Sequence, residues 1–437
     1  MTWRKWWSVV SPLALVVVLV AGCTAAPSNS SSSAPPSTSA NPVEISFWYG
    51  IGGASEQTIK ELVDKFNAAH PSIKVTPFFA GSYSAGGPEQ QKLLAAIAAN
   101  QVPDVVQLEI HALCTFASKG ALLTLDDLMA KSDHDKQADF LPGLLTNTQC
   151  GGKTYGVPFN RSVPILYTNA DMLKQAGIAS APTTWDELAA DAAKLTKDGP
   201  NGKVYGFEPV NQWWFFEAMT WTAGGDMLSP DQKTAVFASE QGAQGLKVWQ
   251  DLIAKGYATV HTGPNDFLDT IGDFANQKTA MYFGSSADMG NYAKSTFDWR
   301  ANQPPKFSTT GKLIVPEGGA NAVIMTKAPA DHQKAAWEFV QWWTAADQTA
   351  YWSQQTGYVP LLTAALNTPA FKDFLTKQPN HAVPQDELQF ARSSPSVDPY
   401  FQVLQLIQEA QQNIISNNAP LMETLQAAAK KANDLLK

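Results

Sequence analysis

Between residues 43 and 109 the chain alternates between two hydrophobic periods, and that alternation leaves few architectures open. Val43 to Tyr49 (VEISFWY) places apolar side chains at every second position, as a strand with one buried face does. Residues 56–70 place Ile59, Leu62, Val63, Phe66 and Ala69 on one stripe at helical spacing, with Ser55 as the expected N-cap. Residues 73–79 read as a second strand, 89–100 as a second helix and 104–108 as a third strand. Such a β-α-β-α-β series predicts an α/β domain on a largely parallel sheet, because parallel neighbours need a helical crossover. The pattern returns with strands at 163–168 and 279–284 and helices at 170–176 and 185–195, which predicts a second α/β lobe. Beyond residue 329 the reading turns helical, at 333–344, 345–355, 369–377 and a long stretch from 400 to 437. Two such lobes bind ligands in the crevice beyond the carboxyl ends of their strands.

The segment before this series belongs to no fold. The first 22 residues carry Arg4 and Lys5, no acid, and an apolar run from Leu13 to Val20, the composition of a signal peptide. Val20-Ala21-Gly22-Cys23 resembles the bacterial lipobox, which makes Cys23 the expected new N-terminus and lipid attachment site. Residues 24–42 (TAAPSNSSSSAPPSTSANP) hold nothing apolar enough to offset the entropy of ordering them, so residues 23–42 are read as a flexible tether reaching a few nanometres from a membrane. The chain is therefore expected on the outer face of the cytoplasmic membrane. There Cys114 and Cys150, the two remaining cysteines, are expected to pair, two buried thiols being the alternative.

Composition and motifs remove several kinds of chemistry. With 31 Lys plus Arg against 39 Asp plus Glu, the net charge is −8, the wrong sign for a nucleic-acid partner. The turn from Gly50 to Ser55 sits between strand and helix, as a dinucleotide fingerprint would, but Ser55 stands where the third glycine belongs. No phosphate-binding GxxxxGKS loop, HExxH, CxxC or GxSxG occurs, and the six histidines have no partner four residues away, so no metal and no cofactor are expected. A glycoside hydrolase would need two carboxylates across a cleft, for which Glu109 with Glu217 or Asp288 are the available residues. An aromatic share of 11%, with 14 Trp, suits flat apolar surfaces such as sugar ring faces.

Several strings then point to one family. They are FWYG at 47–50, DKFNAAHPSIKV at 64–75, PDVVQLE at 103–109, GVPFNRSVPILYTNADMLKQAGI at 156–178 and TTWDEL at 183–188. AMYFGSSADM at 280–289, GGANAVIM at 318–325 and QQTGYVPL at 354–361 follow in the same order. Together they resemble the extracellular solute-binding proteins of ATP-binding-cassette importers, in the maltose-binding-like group. GSY at 81–83 and QTGYVP at 355–360 are similar to the glycerol-3-phosphate and glycerophosphodiester binders. The resemblance implies a class II periplasmic-binding-protein-like fold, with one lobe of 43–158 and 303–355 and another of 159–302 and 356–437. It also implies a membrane permease as partner and a monomeric binding protein that is not an enzyme.

By the same resemblance, ligand contacts fall to Tyr83, Glu109, Ser162, Trp214, Ser285, Ser286, Gly319 and Tyr358. The phosphate-holding arginine of that branch aligns near Ser396, and the nearest arginine is Arg392, four residues earlier. Arg392 and Arg161 are thus the candidate anion contacts, and without a bidentate guanidinium neutral ligands are favoured. The residues themselves add that Trp48, Trp213, Trp214 and Trp221 are candidate plates. Trp213 and Trp214, being adjacent, are not expected both to face inward. Glu109 ends an apolar strand, where an unpaired acid is costly, so it is expected to accept ligand hydroxyls. Tyr83 and Tyr358 flank glycines in loops, where binding residues gather. Asp104 is expected to close a turn. The alternatives to solute capture are a surface glycoside hydrolase and a carbohydrate-binding adhesin.

Overall fold

Among the described residues the two larger sheets hold nine strands, and their order shows how the halves of the chain are interleaved. In chain order they are β1 (Val43–Tyr49), β2 (Ile73–Phe79), β3 (Val105–Glu109), β4 (Gly156–Ser162), β5 (Pro164–Asn169), β6 (Glu208–Pro209), β7 (Met281–Ser285), β8 (Trp299–Asn302) and β9 (Gly318–Ile324). The first sheet runs β2-β1-β3-β9-β4 and the second β6-β7-β5-β8. The computed structural model describes residues 41–83, 86–133, 137–141, 143–199, 202–263 and 265–437. Cys23, with the leader and nearly all of the tether, lies outside the described residues. Residues 42–437 cluster as one compact unit.

The expectation of a largely parallel sheet is corrected. β1 pairs in parallel with β2 and β3, but β9 lies antiparallel to both β3 and β4, and β7 and β8 are antiparallel to β5. The helix-linked N-terminal strands are parallel as their crossovers require. β9 arrives from the other half of the molecule, where no helical crossover dictates its direction.

Packing follows from the periodicities. Along β1, Ile45, Phe47 and Tyr49 enter a core shared with Leu62 and Phe66 of the helix Ala54–Ala69 and with Phe339 and Trp343 of the helix Ala330–Thr344. The Trp343 ring stacks on Phe159 at 4.3 Å, a contact worth about 0.5–1.5 kcal/mol beyond its buried area. Every residue of β3 is buried because both faces are covered, Val105 facing that core and Val106 and Leu108 facing Leu93, Phe116 and Val323 on the other side. A second core gathers around β5 and β7 with Trp185, Phe215, Trp221 and Trp249, and the helices Tyr400–Asn417 and Leu421–Leu435 close over it.

Three local expectations differ from what is found. The first helix begins at Ala54, two residues early, and its N-cap is Gly53 at φ 66°, so Ser55 is buried inside the first turn. The long C-terminal stretch divides where Asn418 takes a left-handed conformation before Pro420, which cannot continue a helix. Tyr358, Leu361, Leu362, Ala365 and Phe371 pack into the first core, although everything from residue 356 was expected with the second lobe.

Candidate functional site

The C-terminal ends of β3 and β4 and the start of β9 meet at one edge, placing Glu109 opposite Ala320, Asn160 opposite Ala320 and Ser162 opposite Gly318. Asn160 and Ser162, two apart on a strand, share a face. A bulge lets β9 turn here, and Gly319 at φ 124° has no room for a Cβ, which would stand 2.1 Å from the Asn160 carbonyl oxygen. Gly319 is thus required by the backbone. Gly318 is required by a neighbour, since a Cβ there would press on the Trp214 ring at 2.8 Å.

A polar relay runs through this edge. Gln107 accepts from the Gly50 N–H at 2.9 Å and donates to the Asn160 side chain at 2.8 Å, and Asn160 donates to the Tyr83 hydroxyl at 3.4 Å. The Tyr83 and Tyr358 hydroxyls stand 3.5 Å apart, bringing loops from sequence positions 275 residues apart to one point. Tyr358 is itself held flat against Trp352 at 5.5 Å.

Glu109 departs from its expected role. Its carboxylate accepts from the backbone N–H groups of His111 at 2.8 Å and Ala112 at 3.2 Å and meets the His111 ring nitrogen Nδ1 at 2.5 Å. It therefore caps the turn Ile110–Ala112, which accounts for an acid at the end of an apolar strand. Burial pushes the His111 imidazole down, but Glu109 beside it, with Glu217 and Glu317 further off, raises it above its ordinary value. The His111 ring meets Trp213 edge-on at 4.8 Å. Both Trp213 and Trp214 are buried, against expectation, because His111 and Gly318 offer a surface to each.

The second sheet contributes Ser285 and Ser286. Ser285 caps the turn Ser286–Tyr292 in a reciprocal box with Asp288, and the Ser286 hydroxyl accepts from the Val163 N–H at 3.3 Å, where the chain crosses from β4 to β5. Asp288 also accepts from the Tyr282 hydroxyl at 3.1 Å. Glu217 accepts from the hydroxyls of Ser394 at 2.7 Å and Tyr400 at 2.8 Å. Glu109, Glu217 and Asp288 are thus all held by donors of their own chain, and the hydrolase reading gains no support from them.

Both candidate anion contacts are spoken for. The fully buried Arg161 guanidinium donates to the carbonyls of Asn160, Ala320 and Leu144 and to the Asn321 side chain at 2.6 Å, and it faces Glu317 at 3.5 Å. It ties β4, β9 and the loop at Leu144 together. Arg392 donates from one nitrogen, Nη2, to both carboxylate oxygens of Asp226 at 3.0 and 2.8 Å and lies 4.5 Å over the Trp221 ring. It lines a cavity of about 240 Å³ with Asp226, Ser393, Ser394 and Ser396. Trp221 is core, and Trp48 is half-buried against Phe78. Asp104 closes no local turn through its side chain: it accepts from the N–H and hydroxyl of Ser46 on β1 and meets the His332 ring at 2.8 Å, tying distant segments together.

Several residues here escape sequence reasoning. Glu89, in the first turn of the helix Pro88–Ala98, is buried with both carboxylate oxygens lacking a hydrogen-bond partner among the described residues, and burial, then Glu109, pushes its carboxyl well above the usual range. Among the described residues His111 Nε2 likewise has no hydrogen-bond partner, and Glu317 Oε2 has none beyond its ion pair with Arg161. An acid placed directly after a proline at a helix start was the one available signal for Glu89. Cys114 and Cys150 are bonded, with Cα atoms 5.3 Å apart, fastening the helix Leu113–Ser118 to the hairpin strand Gln149–Cys150.

Two interleaved α/β halves, joined at Val163, between β8 and β9 and again between Phe371 and Tyr400, and meeting around aromatic rings and carboxylates, define a class II periplasmic-binding-protein-like capture fold. Residues 61–381 match the family described as bacterial extracellular solute-binding protein, and the chain belongs to it. This is the family of substrate-binding components of ATP-binding-cassette importers, which bind rather than catalyse. Among its relatives is the sn-glycerol-3-phosphate-binding periplasmic protein UgpB of Yersinia enterocolitica, 30% identical over 360 residues, covering 77% of this chain and 78% of that one. The crystal structure of UgpB from Mycobacterium tuberculosis in complex with glycerophosphocholine superposes with a TM-score of 0.78 at 25% identity, over 91% of this chain and 98% of that one. Maltose-bound MalE3 of T. maritima has the same fold, with a TM-score of 0.78 at 22% identity over 90% and 100% of the two chains.

Proposed function

We propose that the chain captures a neutral polyhydroxylated solute, a carbohydrate or polyol, between its two lobes and delivers it to the membrane permease of an importer. The observation that carries this reading is the commitment of both Arg161 and Arg392 to internal partners beside a site rich in carboxylates and aromatic rings. Hydroxyls of a sugar edge suit Glu89, Glu317, Asn160, Tyr83 and Tyr358, while ring faces suit Trp214. Ser162, Ser285, Ser286 and Gly319 line the crossing where the lobes meet, and Glu109 acts from behind by fixing His111. No bond is made or broken. Lobes of 43–158 with 303–355 and of 159–302 with 356–437, adjusted by moving 159–162 and 358–371 to the first and the stretch with Phe307, Leu313 and Val315 to the second, move about the crossings. The chain works as a monomer held to the membrane by lipid on Cys23.

A thermal-shift screen tests the ligand class. Neutral sugars or polyols at about 100 times their dissociation constant should stabilise the chain by ~2.7 kcal/mol, while glycerol 3-phosphate does not. Trp214→Ala should abolish that shift. The relation to UgpB favours glycerophosphodiesters as the second reading. A shift with glycerol 3-phosphate or glycerophosphocholine alone would replace the neutral ligand by a phosphate one.

A further inference from the structure

Glu208, His261 and Asp273 come from three separate segments: the edge strand β6, the loop beyond Ala258, and the helix Asp266–Ala275. One ligand-capable atom from each lies within 4.8 Å of the other two. His261 Nε2 stands 2.9 Å from Asp273 Oδ2 and 3.5 Å from Glu208 Oε1. Glu208 is the informative member. Its side chain is 0% exposed, its oxygens have no hydrogen bond within 3.5 Å among the described residues, the Thr270 hydroxyl standing nearby, and one of them faces the imidazole. A buried carboxylate without donors is costly unless a cation completes it.

We propose that Glu208, His261 and Asp273 bind a divalent transition-metal cation, zinc being the metal that suits one imidazole, two carboxylates and a water. Tetrahedral zinc with N and O ligands near 2.0–2.1 Å needs ligand atoms about 3.3 Å apart, within reach of small side-chain rotations. Lys278 supports the arrangement, because its ammonium holds Asp273 Oδ1 at 2.8 Å and leaves Oδ2 for the metal. The bound ion would pin the edge of the second sheet to the helix Asp266–Ala275. It takes no part in solute capture.

Chelator-stripped full chain without an affinity tag should bind one Zn²⁺ in a calorimetric titration, and Co²⁺ in its place should give visible d–d absorption. His261→Ala and Glu208→Gln should each weaken zinc binding tenfold or more and remove the cobalt band. His261 is about one-third exposed, so its alanine variant keeps the test open if the Glu208 variant fails to fold. No one-to-one binding in the wild type, or binding unchanged in His261→Ala, would overturn the proposal, the latter assigning the metal to an adventitious surface site.

Discussion

At the scale of single residues, the site is governed by who satisfies a buried charge. Arg161, a candidate anion contact by sequence, serves as a strut, its two Nη groups donating to β4, β9 and Leu144 while Nε faces Glu317 at 3.5 Å. Removing one partner of a buried ion pair leaves the other uncompensated, so Arg161→Met should cost about 3–5 kcal/mol in urea unfolding, with part of it recovered by adding Glu317→Leu. A variant of unchanged stability and lost ligand affinity would return Arg161 to the binding site. Asp288 gives a pH signature. Burial raises its carboxyl from 3.8 to about 7, against the pull of the Ser285 N–H and the Tyr282 hydroxyl. The folded state therefore holds a proton that the unfolded chain releases near pH 4, and this group's contribution to stability declines as pH climbs from about 4 to about 7. Asp288→Asn should flatten that decline, so that the variant gains on the wild type across this window in pH-dependent denaturation. Equal slopes would show that Asp288 ionises normally in the folded protein.

At the scale of elements, the disulfide ties the helix Leu113–Ser118 to the hairpin beside it across 36 residues of chain. Closing a loop of that length is worth about 3–4 kcal/mol through the unfolded state, and Cys114→Ser with Cys150→Ser should lower urea stability by roughly that amount. A loss below 1 kcal/mol would mean the unfolded chain is already compact there. This scale also shows what a sequence can disclose. Strand and helix positions from β1 to β3 were legible, because periods of two and 3.6 are local properties of the chain. Pairing direction was not: nothing in GGANAVI announces that β9 will run against β3 and β4. Glu109 was singled out correctly as an anomaly on an apolar strand. Its partners, two backbone N–H groups and His111, lay in geometry that residue types do not encode. Tyr83 and Tyr358 were legible as loop aromatics beside glycine, whereas their meeting required the fold.

At the scale of the whole molecule, the chain crosses between halves at Val163, again between β8 and β9 and a third time between Phe371 and Tyr400, so closure about these crossings is the motion the topology allows. Small-angle scattering should show a smaller radius of gyration when a saturating ligand is added, and an adhesin-like mode of binding would leave it unchanged. The interior position of β9 carries a further consequence for the history of each molecule. β3 and β4 are separated by a strand that begins at residue 318, so a growing or translocating chain presents two open ladder edges until about three quarters of it has emerged. Such a chain cannot bank its N-terminal half early, and its assembly is forced toward a late, concerted event governed by distant contacts. A polypeptide that stays pliable until nearly all of it is present is one a narrow export pore can still thread.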